Sequence, residues 1–198
     1  SARNQLGGAG ADQITGTASS VGDTLNGGSG NDTFTFAAAN LTSIDTIVGG
    51  AGTDIITLSD AGTIADVDLT SVTGVETFTT VTNVGTTTLT VGAAAAAAGI
   101  KTINASSTAN VVTLGADYSI DATVALTSST DTLSAAAYTN ALTVTVLDTD
   151  LTSADTITGG TGSDTLTITF GNTALAATDM ANVTKIETIK SASNLVGG

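Results

Sequence analysis

The sequence predicts an all-β fold, a parallel β-helix wound as a flattened solenoid with glycine-rich turns. A nonapeptide of the form G-G-x-G-x-D-x-U-x, in which U is a large apolar residue, occurs four times, beginning at Gly7, Gly27, Gly49 and Gly159. Apolar residues alternate with threonine after most of the motif aspartates, and β-branched residues dominate much of the remaining chain. These features are typical of short strands joined by sharp turns.

Each nonapeptide is expected to form one turn followed by one short strand. Glycine permits a sharp turn where a Cβ would clash. Large apolar residues then occupy alternate positions and so point to one face of the strand. These are Phe34 and Phe36, Ile56 and Leu58, and Leu166, Ile168 and Phe170. Two such units would make one coil of the solenoid.

Between Thr77 and Asp148 the nonapeptide does not occur, but the solenoid is expected to continue. Apolar centres recur every 9 to 14 residues, at Leu89, Ile103, Val112, Val124, Leu133 and Val144. Turns of Asn, Ser and Thr are expected there in place of glycine turns. The run from Gly92 to Gly99 is the exception, and predicts either one or two helical turns or a tight corner of small residues.

Composition and charge narrow the functions that the chain can have. It has 18 acidic and 4 basic residues, a net charge of −14, so phosphate backbones would be repelled and nucleic acid is disfavoured as a partner. The sequence contains no Cys or His, which excludes disulfides and the usual zinc and copper sites. Carboxylate and carbonyl oxygens remain as metal ligands, and these are the donors that calcium and magnesium prefer. No stretch resembles a signal peptide or a membrane span.

The spacing of the aspartates predicts two ladders along opposite edges of the solenoid. Neighbouring coils lie about 4.8 Å apart, so Asp12, Asp32 and Asp54 should line one edge while Asp23 and Asp45 line the other. Bare carboxylates that close would repel each other, and a divalent cation between successive coils would turn the repulsion into attraction. The same motif recurs at Asp155 and Asp164. The aspartates of both ladders and of this later motif are therefore predicted to bind metal.

Less regular acidic residues extend the two ladders. Glu76 would follow Asp54 and Glu187 would follow Asp164 on one edge. On the other edge, Asp66 or Asp68 would follow Asp45, Asp179 would follow Asp155, and Asp131 would precede Asp155. These positions lack the full glycine turn, so each is either an ion ligand or a solvated surface acid.

A longer repeat of about 110 residues overlies the nonapeptides. The segment from Leu41 to Asp54 recurs from Leu151 to Asp164, an offset of 110, and the segment that begins at Asp68 recurs at Asp179, an offset of 111. The chain is therefore interpreted as a piece of a longer array, whose function benefits from length.

The strict nonapeptides resemble those of the RTX (repeats-in-toxin) calcium-binding proteins of Gram-negative bacteria. The Ala- and Thr-rich sequence without Cys is most similar to the surface-layer proteins of that group. The resemblance implies a calcium-dependent β-roll, export through a one-step type I channel, and assembly outside the cell. By matching position it implies ligands at Asp12, Asp32, Asp54 and Asp164, with turn carbonyls at Gly8, Gly10, Gly28, Gly30, Gly50, Gly52, Gly160 and Gly162. Two departures are evident, since the coils are longer than those of the family's regular roll and the middle section lacks the motif.

This resemblance divides the chain into three expected sections. Residues 1–60 would form a calcium-binding β-roll, residues 61–150 a degenerate β-solenoid with few ion sites, and residues 151–198 a second RTX-type segment that begins the next repeat. The expected partners are calcium, further copies of the chain and a cell-surface polysaccharide.

The favoured functional interpretation is a structural, calcium-ordered module of a secreted surface-layer or filament protein. A calcium-stiffened stalk of an RTX adhesin or toxin is the alternative. A polysaccharide-modifying β-helix is a third candidate, in which Asp148 and Asp150 would form a carboxylate pair on one strand face. The lack of His and the 3% content of aromatic residues argue against it, and no enzymatic activity is expected.

Overall fold

The computed structural model describes residues 2–18, 20–80, 85–106, 108–127, 130–171 and 175–193. In these ranges the chain forms a parallel β-solenoid of about eight turns, which confirms the predicted β-roll fold. No helix in the described ranges is long and apolar enough to cross a membrane.

Nearly all of the regular structure is short strand. The strands are β1 (Asn4–Ala9), β2 (Gln13–Thr15), β3 (Thr24–Ser29), β4 (Thr33–Phe36), β5 (Thr46–Ala51), β6 (Ile55–Leu58), β7 (Thr63–Ile64), β8 (Val72–Thr73), β9 (Thr77–Thr79), β10 (Thr86–Val91), β11 (Thr102–Ala105), β12 (Ala109–Leu114), β13 (Ala122–Leu126), β14 (Asp131–Ser134), β15 (Leu142–Leu147), β16 (Thr156–Thr158), β17 (Thr165–Phe170), β18 (Val183–Thr184) and β19 (Thr188–Ser193). Among the described residues, one short α-helix, α1 (Ala93–Ala98), and three 3-10 segments, Ala38–Asn40, Asp66–Leu69 and Ala177–Met180, interrupt them.

Three parallel sheets form the walls of the solenoid. The nine-stranded long sheet has the order β2-β4-β6-β9-β11-β13-β15-β17-β19. Two shorter sheets, β1-β3-β5-β8 and β7-β10-β12-β14-β16-β18, take the other strand of each coil. Each coil therefore runs from a short sheet through a turn into the long sheet, and the turn residues of successive coils are stacked.

Apolar side chains stacked in register form the core. In the long sheet, one paired row ends at the exposed Ile189, and all its earlier members are at most 1% exposed: Ile14, Phe34, Ile56, Phe78, Ile103, Val124, Val144 and Leu166. All of the apolar centres predicted for the middle section are also buried, which confirms that the solenoid continues there. Burial of each of these side chains contributes about 1.5–3 kcal/mol, so the stacked rows supply the main stabilising term.

The corners of the middle section differ from the prediction. Tyr118 and Tyr138 are fully buried, and their hydroxyls donate hydrogen bonds to the carbonyl oxygens of Ile100 and Ile120. Burial raises the pKa of both phenols well above the usual range, so both remain neutral donors. The expectation of Asn, Ser and Thr turns holds only in part, for example at Asn140, whose Nδ2 donates to the carbonyl of Tyr118. A tyrosine fills a corner and also satisfies a buried carbonyl, which the smaller side chains cannot do.

The alanine run is helical, which confirms one of the two alternatives. Helix α1 ends at Gly99, whose φ of +97° suits glycine. The carboxylate of Asp66 accepts hydrogen bonds from the backbone amides of Gly92, Ala94 and Ala95, at 2.6, 3.0 and 2.9 Å. Asp66 therefore caps the helix.

The predicted ladder positions of Asp66, Asp68 and Asp179 are wrong. Ile47 pairs with Val72, so the position one coil beyond Asp45 is Thr70. The inserted 3-10 segment Asp66–Leu69 displaces both aspartates, and Asp68 accepts a hydrogen bond from the amide of Ala65 instead. Ile157 pairs with Val183, which places Ala181 beside Asp155, while Asp179 accepts from the amide of Ala176.

Replacement of Lys185 by glycine should stabilise the fold. Lys185 has a φ of +54°, and it is the one non-glycine residue with positive φ in the described ranges. The equivalent position 111 residues earlier is Gly74, with a φ of +63°. A side chain in this region costs about 1–2 kcal/mol, and glycine's larger unfolded-state entropy offsets part of the gain. Thermal unfolding of Lys185→Gly should therefore show a rise of a few degrees.

Lys190→Gly is the matched control, because Lys190 is an exposed lysine within β19. Glycine weakens a strand interior, so this variant should unfold at a lower temperature than the parent chain. A fall in the melting temperature of Lys185→Gly would contradict the interpretation.

Candidate metal centre

One edge of the solenoid carries a continuous ladder of acidic side chains, here called the turn ladder: Asp12, Asp32, Asp54 and Glu76. Each of these residues immediately precedes a strand of the long sheet. The backbone amide of each donates to the carboxylate of the next: Asp12 to Asp32 Oδ1 at 2.8 Å, Asp32 to Asp54 Oδ1 at 2.7 Å, and Asp54 to Glu76 Oε2 at 2.8 Å. The predicted stacking of these acids, including Glu76, is confirmed.

Glycine turns stack beside the turn ladder. Gly8, Gly28 and Gly50 are aligned in neighbouring coils. Their φ values are +130°, +104° and +111°, and a Cβ on Gly28 would lie 2.2 Å from the carbonyl oxygen of Gly8. Gly10, Gly30 and Gly52 also have positive φ. Only glycine allows these turns to adopt this backbone conformation and to approach this closely.

One carboxylate oxygen of each aspartate in the turn ladder has no hydrogen-bond partner among the described residues. Oδ2 of Asp12, Asp32 and Asp54 is buried and accepts no bond from the described residues. A Cβ on Gly27 would lie 2.2 Å from Asp32 Oδ2 and 2.6 Å from the carbonyl oxygen of Gly49. In the same way, a Cβ on Gly7 would lie 2.6 Å from Asp12 Oδ2, and a Cβ on Gly49 would lie 2.6 Å from Asp54 Oδ2. Glycine thus leaves carboxylate and carbonyl oxygens of neighbouring coils facing a common space.

This donor set fits a hard divalent cation. Calcium takes six to eight oxygen ligands from carboxylates and backbone carbonyls, and an unpartnered buried carboxylate oxygen is costly without a cation. No group of three or more His, Cys, Asp or Glu side chains in the described part of the chain is placed to hold one ion. The turn carbonyls would therefore have to supply much of the coordination, and the ligand roles of Gly8, Gly10, Gly28, Gly30, Gly50 and Gly52 remain predictions.

The charges of the turn ladder oppose one another. Burial raises the pKa of Asp54 above its ordinary value, and the negative charges of Asp32 and Glu76 raise it further, against a hydrogen bond from the Asp32 amide that lowers it. The ionised ladder without metal is thus under electrostatic strain. A cation beside it would remove that strain.

The second edge carries the predicted ladder of Asp23 and Asp45, here called the loop ladder, which Asp155 repeats later in the chain. The Oδ1 atom of each of these aspartates accepts a hydrogen bond from a backbone amide one coil away. The amide of Arg3 donates to Asp23 and the amide of Asp23 donates to Asp45, both at 2.7 Å, and the amide of Asp131 donates to Asp155 at 2.6 Å. The last bond confirms the predicted rung at Asp131. Their stacking is therefore also confirmed.

Both oxygens of the loop-ladder aspartates are already bonded. The Oδ2 atom of each aspartate accepts a hydrogen bond from the backbone amide of a nearby threonine: Thr17 to Asp23 at 2.6 Å, Thr42 to Asp45 at 2.8 Å, and Thr152 to Asp155 at 2.7 Å. The hydroxyl of each threonine also donates a hydrogen bond to the same Oδ2. Burial alone would raise the pKa of Asp23, but hydrogen bonds from Thr17 and Arg3 and the charge of Arg3 lower it overall. The metal-ligand role of Asp23, Asp45 and Asp155 stays a prediction.

A local sequence signal distinguishes the loop ladder. In "LTSID" and "LTSAD", a threonine stands three residues before the aspartate, the spacing at which an Asx or Ser/Thr side chain bonds nearby backbone. Sequence reasoning that weighed this spacing would have separated Asp45 and Asp155 from the glycine-turn aspartates.

The later strict copy is built differently. Neither Gly160 nor Gly162 has a positive φ. Asp164 accepts the amide of Leu142 on Oδ1 at 3.1 Å and the amide of Gly160 on Oδ2 at 2.6 Å. The amide of Asp164 donates to Glu187 Oε2 at 2.8 Å, which confirms the predicted rung at Glu187.

Comparison with known families agrees with the glycine turns. A family model for the RTX calcium-binding nonapeptide repeat matches four copies, at residues 6–40, 42–60 and 151–172. The chain carries RTX calcium-binding repeats. No curated protein and no solved structure matches the chain. RTX repeats bind Ca²⁺, so calcium is the ion that the stacked turns are built to hold.

Asp54→Asn should have opposite effects on stability with and without calcium. In calcium-free buffer the substitution removes a buried negative charge between Asp32 and Glu76, so the variant should be more stable than the parent. With calcium it lacks one RTX carboxylate, so it should be less stable, by up to about 2.7 kcal/mol per site lost at 100 times the dissociation constant. The stability of the calcium-loaded protein is measured by circular dichroism during thermal unfolding. The stability of the calcium-free protein is measured by titration with sucrose, which favours the folded state.

Asp117→Asn is the control for this pair of measurements, because Asp117 is an exposed acid outside the turn ladder. This substitution should not change the stability by a comparable amount, either with or without calcium. An Asp54→Asn effect of the same sign in both buffers would contradict the proposed strain.

The combined contribution of Asp54 and Asp23 to the stability of the calcium-free fold should be greatest near pH 4, the ordinary pKa of aspartate. Because the folded-state pKa of Asp54 is raised above 3.8, its contribution is present below that pH and is lost as the pH rises through the folded value. Because the pKa of Asp23 is lowered, its contribution is present above 3.8 and is lost as the pH falls through its folded value. Sucrose titrations in resin-stripped buffer across this range test the maximum.

Two variants show which aspartate causes the change of stability with pH on each side of pH 4. Asp54→Asn should flatten the fall in stability above pH 4, and Asp23→Asn should flatten the fall below it. A calcium-free fold that gains stability steadily from pH 4 to pH 6 would rule this assignment out.

Proposed function

We propose that the chain is a calcium-ordered structural module of a secreted bacterial surface-layer or extracellular filament protein. The observation that carries the proposal is the turn ladder, whose buried Oδ2 atoms of Asp12, Asp32 and Asp54 lack partners and face carbonyls of the next coil. These oxygens meet only when the coils stack. Calcium therefore binds the folded state and hardly binds the dispersed chain, so the ion drives folding.

This linkage suits a protein that is exported before it folds. With a net charge of −14, the chain repels itself where calcium is scarce and would stay extended and threadable. Where calcium is abundant, each bound ion offsets two negative charges and closes the turns. A type I export route, implied by the RTX resemblance, follows the same logic.

The longer repeat supports an array. Equivalent residues of the two units make equivalent contacts: Thr42 with Asp45 and Thr152 with Asp155, and Ala65 with Asp68 and Ala176 with Asp179. The second unit thus repeats these loop contacts of the first. We accordingly propose a calcium-binding section at 1–60, a degenerate solenoid at 61–150, and a second RTX-type segment from 151, in a rod that extends by repetition.

Two surfaces support association with other copies or with a cell-surface polysaccharide. Val21, Ile44 and Val67 are exposed aliphatic side chains of successive coils, 71%, 52% and 59% exposed; the first two lie on loops and Val67 lies in a 3-10 segment. The outer face of the long sheet carries a paired row of hydroxyls that only Ile55 interrupts: Thr33, Thr77, Thr102, Thr123, Thr143, Thr165 and Thr188. A flat surface of this kind suits lateral contacts in a lattice.

The observations favour this role over the enzymatic one. Asp148 is buried and accepts the amide of Gly171 at 3.1 Å, while Asp150 Oδ1 accepts the hydroxyl of Thr149. Both carboxylates thus take part in the local structure of this corner. A cavity of about 280 Å³ near Leu126, Val146 and Leu147 is lined by aliphatic and threonine side chains only.

The test combines folding with assembly. Removal of calcium with EGTA should abolish the β-sheet circular dichroism, and added calcium should restore it. Negative-stain images with calcium should then show a lattice or end-to-end fibres. An unchanged spectrum after thorough chelation would defeat the calcium-ordered module, whereas folded but isolated rods would favour the stalk of an adhesin or toxin.

Ile44→Ser separates the two steps, because the side chain is exposed and lies outside the glycine turns. It should leave the calcium-dependent spectrum unchanged and reduce assembly. Loss of the spectrum in this variant would show that Ile44 serves the fold and does not serve the contact between copies.

A further inference from the structure

We propose that the RTX repeat at residues 159–164 does not hold calcium, although its sequence matches the motif without error, and that it is a metal-free turn closed by its own hydrogen bonds. Calcium in the described chain would then belong to the stacked turns at 7–12, 27–32 and 49–54. The inference concerns which copies bind, so it rests on the calcium binding proposed above.

The carboxylate of the later copy has no free oxygen to offer. In the three early copies one oxygen of Asp12, Asp32 and Asp54 is buried without a partner. Asp164 is equally buried, at 1% exposed, but its Oδ2 accepts the Gly160 amide at 2.6 Å and its Oδ1 accepts the Leu142 amide at 3.1 Å. A calcium ion there would have to displace a short hydrogen bond that the early turns do not make.

The backbone of the later copy also follows a different path. In the early copies the strand continues through the first two turn glycines, as in β3 and β5, and the glycines at the second and fourth positions of the motif have positive φ. In the later copy strand β16 ends at Thr158, before the first glycine, and neither Gly160 nor Gly162 has positive φ. The carbonyls of this turn are therefore oriented differently from those of the early turns.

The neighbouring coils explain the difference. The early turns stack on one another, and the amides of Gly10 and Gly30 donate to the carbonyls of Ser29 and Ala51 at 2.7 and 2.8 Å. The later turn instead stacks on a corner that lacks glycines, where the amide of Thr161 donates to the carbonyl of Tyr138 at 3.0 Å.

The coil that follows offers no glycine turn either. Where Gly49 approaches the carbonyl of Gly74, Gly159 approaches that of Lys185. A motif that lacks a glycine turn on both sides has no second glycine turn with which to share an ion, although single carbonyls such as that of Lys185 approach it. The ion-binding unit in this chain is thus a pair of consecutive glycine turns, and a single motif is not sufficient.

Two matched substitutions test the assignment by counting ions. Asp32→Asn and Asp164→Asn alter buried aspartates of two strict motifs, each of which accepts an amide from one coil earlier. Equilibrium dialysis against radioactive calcium should show at least one ion fewer for Asp32→Asn. Asp164→Asn should keep the parent's ion count and half-saturation point, while its melting temperature falls because an amide group would face the Gly160 amide. Loss of an ion from Asp164→Asn would overturn the proposal.

A measurement on the unaltered chain covers the case in which a variant does not fold. Traces of gadolinium added to the calcium-loaded, isotope-labelled chain replace calcium at occupied sites and broaden nearby amide signals. Asp32 and Asp164 lie six coils apart, about 29 Å at the usual strand spacing, so the two motifs are resolved. The amides of residues 27–32 should broaden and those of residues 159–164 should remain sharp. Broadening of the later motif would also overturn the proposal.

The outcomes distinguish this inference from the proposed function. A parent chain that binds no calcium would defeat both. Equal loss of ions from both variants would leave the calcium-ordered module intact and defeat only the assignment made here.

Discussion

The structure depends on stacking in parallel register, which places equivalent residues of successive coils one strand spacing apart. That spacing, about 4.8 Å, is favourable for apolar residues, and the row from Ile14 to Leu166 forms a continuous core. The same register forces acidic residues on top of one another, as it does for Asp32 and Asp54. Every aspartate ladder therefore needs a source of positive potential, and the source differs from one ladder to the other.

The two ladders meet the same electrostatic problem in different ways. Backbone amides one coil away supply the first hydrogen bond in both. In the loop ladder a nearby threonine supplies the second, and the pKa of Asp23 is lowered. In the turn ladder the second oxygen faces the space left by glycine, and the pKa of Asp54 is raised. Asp12, Asp32 and Asp54 therefore keep an unpartnered oxygen beside the glycine turns, whereas protein groups bond both oxygens of Asp23, Asp45 and Asp155.

Side chains fill corners in the middle of the solenoid. Tyr118 and Tyr138 occupy corners and donate to carbonyls of the preceding coil, and helix α1 fills another corner with its amides held by Asp66. The two tyrosines satisfy these carbonyls without adding charge, and the Asp66 carboxylate is bonded by the helix amides. The solenoid thus combines glycine turns that leave carboxylate oxygens without a partner with corners that side chains fill, and the stacked core continues through both.

Much of the architecture was determined by sequence alone, because period-two alternation and the nonapeptide spacing specify strands and turns locally. The stacking of Asp54 on Glu76, and of Asp164 on Glu187, also followed from spacing. Only the tertiary structure decided that Asp66 caps a helix, that Asp45 lies beside Thr70, and that the later glycine turn closes on itself. Each of these outcomes depends on groups one coil away, more than twenty residues distant in sequence. A motif specifies its own backbone freedom, but the neighbouring coil decides which oxygens are left without a partner.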